Sequence, residues 1–345
     1  TFKDRELLKH HADQVVEGMT LAGLVTGAQQ GFLYLRGEYE FLLPKLEQVL
    51  AARRRRGLLG RNLCGLADKH FDVAVVVGAG AYVCGEESAL LNSIEGRRGT
   101  PRNRPPYPVT SGLWGKPTVV NNVESFFSAA LIALYGGAWF AQVGTEKSRG
   151  TRLLSVSGDC ARPGIYEIPW GMKVEEVLKL CGAEDSLGVQ VGGPAGAFIA
   201  PRDYHRRLAF EDLPTGGAFM VFGKQRKLLD IVANFSAFFA HESCGFCTPC
   251  RVGTQLQLRL IQKIRHGLGT VGDLQELERL GQLLDASHCG LGHTAANPIK
   301  TTLAVYPEHY QEALKKEIDF SPGFDLDAEL ETARQLTGRF ADHLA

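Results

Sequence analysis

The sequence predicts three parts in series: a layered α/β part with a mostly parallel sheet over residues 1–150, a small α+β module over 151–225, and a C-terminal helical bundle over 226–345. Three observations carry this. Strand-like and helix-like runs alternate through the first part, the pattern of a parallel, layered sheet. From Thr151 the runs become short and β-like, with Gly and Pro between them. Beyond about Gly223 apolar residues recur at helical spacing. A chain of 345 residues can bury a sizeable core, and its length suits two or three domains.

In the first part, His11 to Gln29 reads as a helix, Gly31 to Arg36 as a strand and Glu38 to Arg54 as a helix. The Arg53 to Arg56 run closes that helix and is expected to complement its C-terminal dipole in solvent. Phe71 to Val77 is an apolar run ending at glycine, expected to be a strand buried on both faces. It enters Gly78-Ala79-Gly80-Ala81 and then a helical pattern from Glu86 to Asn92. The longest apolar stretch, roughly Phe126 to Ala141, is broken by Gly136-Gly137. It falls short of the ~20 residues that span a bilayer, and reads as a buried helix.

The second part holds β-like runs at Leu153–Ser157, Gly164–Ile168, Val189–Gly192 and Phe219–Phe222 around one helix, Val174 to Cys181. The third holds helices at Leu228–His241, Val252–His266, Leu274–Ala286 and Tyr306–Lys316. Asp273 followed by Glu276 resembles a capping box, and Leu274, Leu277, Leu280 and Leu284 then share a face.

The 38 basic and 38 acidic residues cancel, so nothing points to nucleic acid or an anionic membrane as a partner. Cys64, Cys84, Cys160 and Cys181 lack disulfide-framework spacing and are expected to be buried, reduced thiols. That usage predicts a cytoplasmic protein without direct membrane insertion.

The chemistry concentrates in Ser243-Cys244-Gly245-Phe246-Cys247-Thr248-Pro249-Cys250-Arg251, followed downstream by His288-Cys289-Gly290. Thiols at C-x2-C-x2-C spacing are too close to pair as disulfides without strain. They can converge on one inorganic centre, with Cys289 as the fourth ligand. Such a set suits a 4Fe–4S cluster or structural zinc. Zinc sites usually present two separated C-x2-C pairs, whereas a compact triplet with one remote ligand suits a cubane cluster. A bundle that joins the start of the second helix to the end of the third would enclose it.

The stretch Gly78 to Ser88 links a strand to a helix but does not meet G-x-G-x-x-G. Glu86 and Glu87 at a helix start are favoured by its dipole and repel phosphate. They suit ordinary helix-start chemistry, or acceptance of hydrogen bonds from ribose hydroxyls, a carboxamide or ring N–H groups. The basic loop Arg97 to Tyr107 can be a solvated docking loop, or can hold a diphosphate with Tyr107 stacked on a base. Asn121-Asn122-Val123-Glu124 enters another helix, whose start can be capped by Asn or receive a phosphate.

Together these segments resemble the NADH-oxidising flavoprotein family, which includes the NADH-binding subunit of respiratory complex I and the diaphorase subunits of NAD-reducing hydrogenases and NAD-dependent formate dehydrogenases. The resemblance rests on Tyr34 to Tyr39, Gly78 to Glu87, Pro105 to Trp114, Asn121 to Glu124, Glu242 to Arg251 and Cys289. Phe246, Cys289 to Ala295 and the tail at Phe324-Asp325-Leu326-Asp327 lean toward the hydrogenase diaphorase subunit. The resemblance implies a flavin domain, a β-grasp module and a helical bundle with one 4Fe–4S cluster. It implies FMN, NAD(H) and that cluster as cofactors, and iron–sulfur subunits of a hydrogenase or related dehydrogenase as partners. By motif, Tyr82, Gly85, Glu86, Asn121 and Asn122 border FMN; Glu87, Arg104 and Tyr107 face NADH; Cys244, Cys247, Cys250 and Cys289 hold the cluster. No residue need act as acid or base in hydride transfer. The family's glycine-rich flavin loop and its Asn/Asp/Glu segment, upstream of the match at Phe2-Lys3-Asp4-Arg5, are not in this sequence. A longer polypeptide, and weak FMN binding by these 345 residues alone, are therefore expected. A non-enzymatic scaffold with structural zinc is the alternative of another class.

Overall fold

In the computed structural model, which describes residues 1–315 and 325–339, the first part runs α1 (Lys3–His10), α2 (Ala12–Thr26), β1 (Gln30–Leu35), α3 (Leu43–Arg55), β2 (Gly60–Arg61), β3 (His70–Val77), α4 (Glu87–Ile94), α5 (Pro108–Ser111), α6 (Val123–Tyr135) and α7 (Gly137–Phe140). β1 and β3 pair in parallel from Gln30 with Asp72 to Leu35 with Val77, across the crossover through α3. β2 adds an antiparallel pair of residues to β3, so the order is β1-β3-β2 and the sheet is mixed. Leu33, Leu35, Phe71 and Val73 pack with Val15, Val16, Leu46 and Leu50 in one core.

Four expectations need correction here. β3 is not buried on both faces: Phe71 and Val73 are buried, Ala74 to Val76 half-buried and Val77 exposed, because core-forming helices gather against alternate residues. The helix at Phe126 is not buried throughout. It packs against α2 at Gly18, where an added Cβ would meet Phe126 O at 1.8 Å, while Leu134 and Tyr135 on its free face are 71% and 58% exposed. Arg53 is not solvated; it is 2% exposed and pairs with Asp13 and Glu17 of α2, which lie one helical turn apart. Cys64 is exposed and Cys160 half-buried, so the four outlying thiols are not uniformly buried.

The second sheet comprises β4 (Thr151–Gly158), β5 (Gly164–Pro169), β6 (Ser186–Val191), β7 (Ala197–Ile199) and β8 (Ala218–Gly223), with α8 (Val174–Cys181) laid on it. Its order is β5-β4-β8-β6-β7, with β4 and β8 parallel and the other neighbours antiparallel. Val174, Val177, Leu178 and Cys181 of α8 meet Leu154, Val156, Val189, Val191, Phe219 and Val221. That spacing is why Val174 to Cys181 is helical. β7 was too short to leave a pattern.

The third part is α9 (Leu228–Glu242), α10 (Thr248–Arg265), α11 (Val271–Leu284), α12 (Gly290–Thr294), α13 (Asn297–Val305), α14 (Pro307–Gln311) and α15 (Leu326–Thr337). Val232, Ile261, Ile264, Leu277, Ile299 and Tyr310 form its core, joined by Phe198 of β7. The Phe198 N–H donates to Thr301 Oγ1 at 3.1 Å and the Asn297 amide to the Ala195 carbonyl at 2.7 Å, docking the small sheet onto α13. The capping box of α11 is Thr270 with Asp273, not Asp273 with Glu276: Asp273 Oδ2 accepts the Thr270 N–H at 2.7 Å. The helix therefore starts upstream of the expected position. The helix expected at Tyr306 is limited to α14, and Lys316 and Phe324 lie outside the described residues. Among the described residues no helix is long and apolar enough to cross a membrane.

Candidate metal centre and nucleotide site

α9 ends at Glu242, and the chain turns through Ser243 to Phe246 before α10 begins. Cys247 occupies the N-cap position of α10, Cys250 sits in its first turn, and Cys289 holds the N-cap position of α12. All four predicted thiols, Cys244, Cys247, Cys250 and Cys289, line one cleft with Val83, Pro101, Ser243, Phe246, His288 and Leu291. Burial, reinforced by the neighbouring thiols, pushes the Cys250 thiol up to about 11, while Ser243 opposes the rise. Burial likewise raises the Cys289 thiol, opposed by the backbone amides of Leu291 and Gly292. Four soft sulfur donors in a mostly apolar wall fit a metal centre that keeps them as thiolates. Among the described residues no three His, Cys, Asp or Glu are grouped tightly enough for a single metal ion. The loop itself is pinned: Arg98 donates to the Cys244 carbonyl at 2.6 Å and Arg251 to the Gly245 carbonyl at 2.8 Å.

The wall facing α10 is the segment after β3. Gly78 and Gly80 fold against the Tyr34–Tyr39 segment: a Cβ at Gly78 would lie 2.2 Å from Tyr34 Oη, and Gly80 has φ +90°. A tight 3-10 turn, Tyr82–Gly85, follows and leads into α4. The Tyr82 ring stands edge-on to Phe238, 5.0 Å between centroids, and its N–H donates to Glu242 Oε2 at 3.1 Å. Val83 and Cys84 join the same apolar core as Cys250 and Cys289.

Glu86 caps α4: its Oε2 accepts the Ala89 N–H at 2.9 Å and the Ser88 hydroxyl at 2.6 Å. Its Oε1 is buried without a hydrogen-bond donor. Nothing lies within 4 Å of the position a Cβ would take at Gly85. A buried carboxylate oxygen that accepts no hydrogen bond, with the Arg104 guanidinium beyond hydrogen-bond reach at 3.7 Å, beside open backbone fits a ligand carrying N–H or O–H groups, as a flavin does. Glu87 Oε1 accepts from Arg104 at 2.9 Å, and the Arg104 guanidinium lies 3.7 Å from Glu86 Oε1. The structure thus unites Glu86, Glu87 and Arg104. Tyr107 is 56% exposed at the N-terminus of α5.

Asn121 and Asn122 are exposed in the segment before α6, and no hydrogen bond or ion pair among the described residues ties them to the 82–87 segment. Asn122 Oδ1 accepts the Glu124 N–H at 3.0 Å and Lys3 Nζ at 2.9 Å, and its amide donates to Asp4 Oδ2 at 2.9 Å. Its side chain is therefore committed to capping α6 and to α1. Lys3 is 1% exposed and also pairs with Glu124, which in turn holds Arg152. Sequence reasoning missed Lys3, because nothing local marks a lysine as buried. It also missed Val83, Ser243 and His288 as cleft residues; for Ser243 and His288 the signal was adjacency to a cluster cysteine.

Residues 1–130 match the family model described as the Nuo51 FMN-binding domain, and residues 230–313 match the NADH-ubiquinone oxidoreductase-F iron-sulfur binding region. The chain is 47% identical over 333 residues to the NAD-reducing hydrogenase HoxS subunit alpha of Cupriavidus necator, covering 96% of the chain and 55% of that protein. It is 35% identical over 329 residues to the F subunit of NADH-quinone oxidoreductase from Escherichia coli, covering 92% of the chain and 74% of that protein. It superposes on the crystal structure of an NAD+-reducing [NiFe]-hydrogenase in the H2-reduced state with a TM-score of 0.87 at 46% identity, over 100% of this chain and 59% of that one. The chain thus spans little more than half of the hydrogenase subunit. At this identity and coverage, with an FMN-binding and an iron–sulfur-binding segment in one chain, it belongs to the NADH-ubiquinone oxidoreductase-F family.

Proposed function

We propose that this chain is the NADH-oxidising, or NAD-reducing, flavoprotein portion of a multi-subunit oxidoreductase, an NAD-reducing hydrogenase in the first instance. The observation that carries it is the shared wall. Val83 lines the cysteine cleft, and Gly85 and Glu86, in the same short segment, present open space and a carboxylate oxygen without a donor. Held here, FMN would supply hydride exchange with a nicotinamide, and a 4Fe–4S cluster on the four cysteines would supply one-electron relay toward partner subunits.

The chain's own work is binding and orientation. Cys244, Cys247, Cys250 and Cys289 hold the cluster. Tyr82, Gly85 and Glu86 border the flavin, as does Asn121 at the α6 start, where Asn122 caps the helix and holds its neighbour in place. Glu87 and Tyr107 receive the dinucleotide, and Arg104, already paired with Glu87, orients that carboxylate. No side chain is asked to move a proton. On this reading residues 1–150 are the FMN and NADH domain, 151–225 a β-grasp module and 226–345 the iron–sulfur domain, in a cytoplasmic setting.

The test is a visible spectrum of the full-length protein purified in its native assembly, with iron, sulfide, zinc and FMN analysis, before and after NADH or NADPH. Brown protein with iron, sulfide and FMN, bleached by nucleotide, is expected. Colourless protein with stoichiometric zinc would replace the reading by a structural scaffold. The 35% identity to the F subunit of the Escherichia coli enzyme makes a respiratory assembly the second reading. Copurifying nickel subunits would decide for the hydrogenase, quinone-linked subunits for the respiratory complex, and molybdenum subunits for a formate dehydrogenase.

A further inference from the structure

Ser243 holds its hydroxyl 3.2 Å from Cys250 Sγ and 3.4 Å from the Gly245 N–H, which it accepts. We propose that Ser243 raises the reduction potential of the cluster by donating its hydroxyl hydrogen to the Cys250 thiolate, an inference that rests on the four cysteines being cluster ligands. The direction of the bond follows from chemistry. A metal-bound thiolate has no hydrogen to give, so the hydroxyl is the donor, and the Gly245 N–H occupies a lone pair of the same oxygen. Cys250 is 5% exposed, so water does not readily replace the bond if it is lost. The reduced cluster carries one more negative charge, and a donor aimed at its sulfur shell stabilises that form more than the oxidised one. Ser243 is thus a positioning residue that tunes the centre through a ligand. The backbone donor to Cys247, the His288 N–H at 3.5 Å, is untouched by changes at Ser243.

The experiment compares Ser243→Ala, Ser243→Thr and Ser243→Val in the intact complex, by iron and sulfide analysis and by potentiometry read from the EPR signal of the reduced cluster. Alanine and valine should keep the cluster but lower its reduced-to-oxidised ratio at fixed potential about tenfold. For a one-electron couple that is a shift of ~59 mV to more negative potential. Threonine, which keeps the hydroxyl, should stay near wild type. A wild-type protein without iron would defeat the cluster reading itself. A wild-type cluster whose potential is unchanged in the alanine and valine variants would overturn only the role of Ser243. Loss of iron in alanine and valine but not threonine would also overturn it, showing a hydroxyl required for assembly.

Discussion

Replacing Lys3 by methionine should destabilise the protein far more than a substitution at a surface lysine normally does. Its ammonium lies 2.5 Å from Asp4 Oδ1, 2.9 Å from Asn122 Oδ1 and 2.9 Å from Glu124 Oε2, at 1% exposure. The stem is packed as well: a Cβ at Gly217 would meet Lys3 Cδ at 2.7 Å. Methionine keeps much of that packing and removes the charge. Breaking a buried ion pair by deleting one partner costs ~3–5 kcal/mol. Asp4 is 25% exposed and can turn to water, and Glu124 keeps Arg152 at 3.0 Å and the Leu153 N–H at 2.7 Å. The expected cost is therefore the lower end, ~3 kcal/mol. Urea unfolding of Lys3→Met, Glu124→Leu and the double variant would measure it. The double variant should cost less than the sum, with a coupling of ~1–3 kcal/mol. Strict additivity, or a Lys3→Met loss below ~1 kcal/mol, would refute the account. FMN content gives a second reading, since Asn122 loses a partner.

Three other outcomes are expected. Cys289→Ala should lower iron and sulfide content and block electron exit, while NADH oxidation with an artificial acceptor suffers less; full occupancy by metal analysis would sink the ligand assignment. Glu87→Gln should raise the NADH dissociation constant about tenfold or more, as loss of a charge-assisted contact of ~1.5–3 kcal/mol implies. Its exposed pairing with Arg104 contributes only ~0.2–1 kcal/mol to stability, so thermal unfolding should barely move; unchanged affinity by calorimetry would confine Glu87 to that pair. The Arg226 guanidinium and the Gly223 N–H hold the Asp159 carboxyl down at about 2, against 3.8 ordinarily. A depressed folded value stabilises above 3.8 and is lost as pH falls through about 2. The stability difference between wild type and Asp159→Asn should shrink across that window, and a difference independent of pH would contradict the pairing.

Patterns of short range were legible. Val174 to Cys181 reads as a helix with its observed bounds because four apolar residues at helical spacing meet one sheet face. Alternation predicts a mostly parallel sheet, since parallel strands need a crossover, and β1 and β3 do pair in parallel, with β2 adding two antiparallel residues. What failed was burial, which depends on what packs across. Arg53 looked like a solvated helix end until Asp13 and Glu17 of another helix were brought to it. Conversely, the apolar helix at Phe126 looked buried, yet α2 covers only one of its sides. Composition reports what a residue could tolerate; the partner element decides where it ends.

The same distinction separates the two halves of the site. Three cysteines at C-x2-C-x2-C spacing carry their geometry in the chain itself, so only the approach of Cys289 had to be supplied by the fold. The nucleotide residues carry no such geometry. Glu86 was read either as a helix start or as a ligand to a cofactor, and the structure gives its two oxygens different tasks: Oε2 caps α4, while Oε1 is left without a donor. The sequence leaves Asn122 the same two roles, but its Oδ1 and its amide are taken by Glu124, Lys3 and Asp4. A side chain committed to the fold positions its neighbours, whereas an acceptor left unmet beside open backbone can take a donor from a ligand. By that criterion the flavin contact proposed at the α6 start is assigned to Asn121 and the helix backbone, with Asn122 holding them, and Glu86 is the stronger candidate for direct contact. Asn122→Ala should therefore cost stability and FMN together, whereas Glu86→Gln, which keeps an acceptor for the cap, should weaken FMN alone. Equal loss of stability in both variants, measured by thermal unfolding without FMN, would show that capping is all that either residue does.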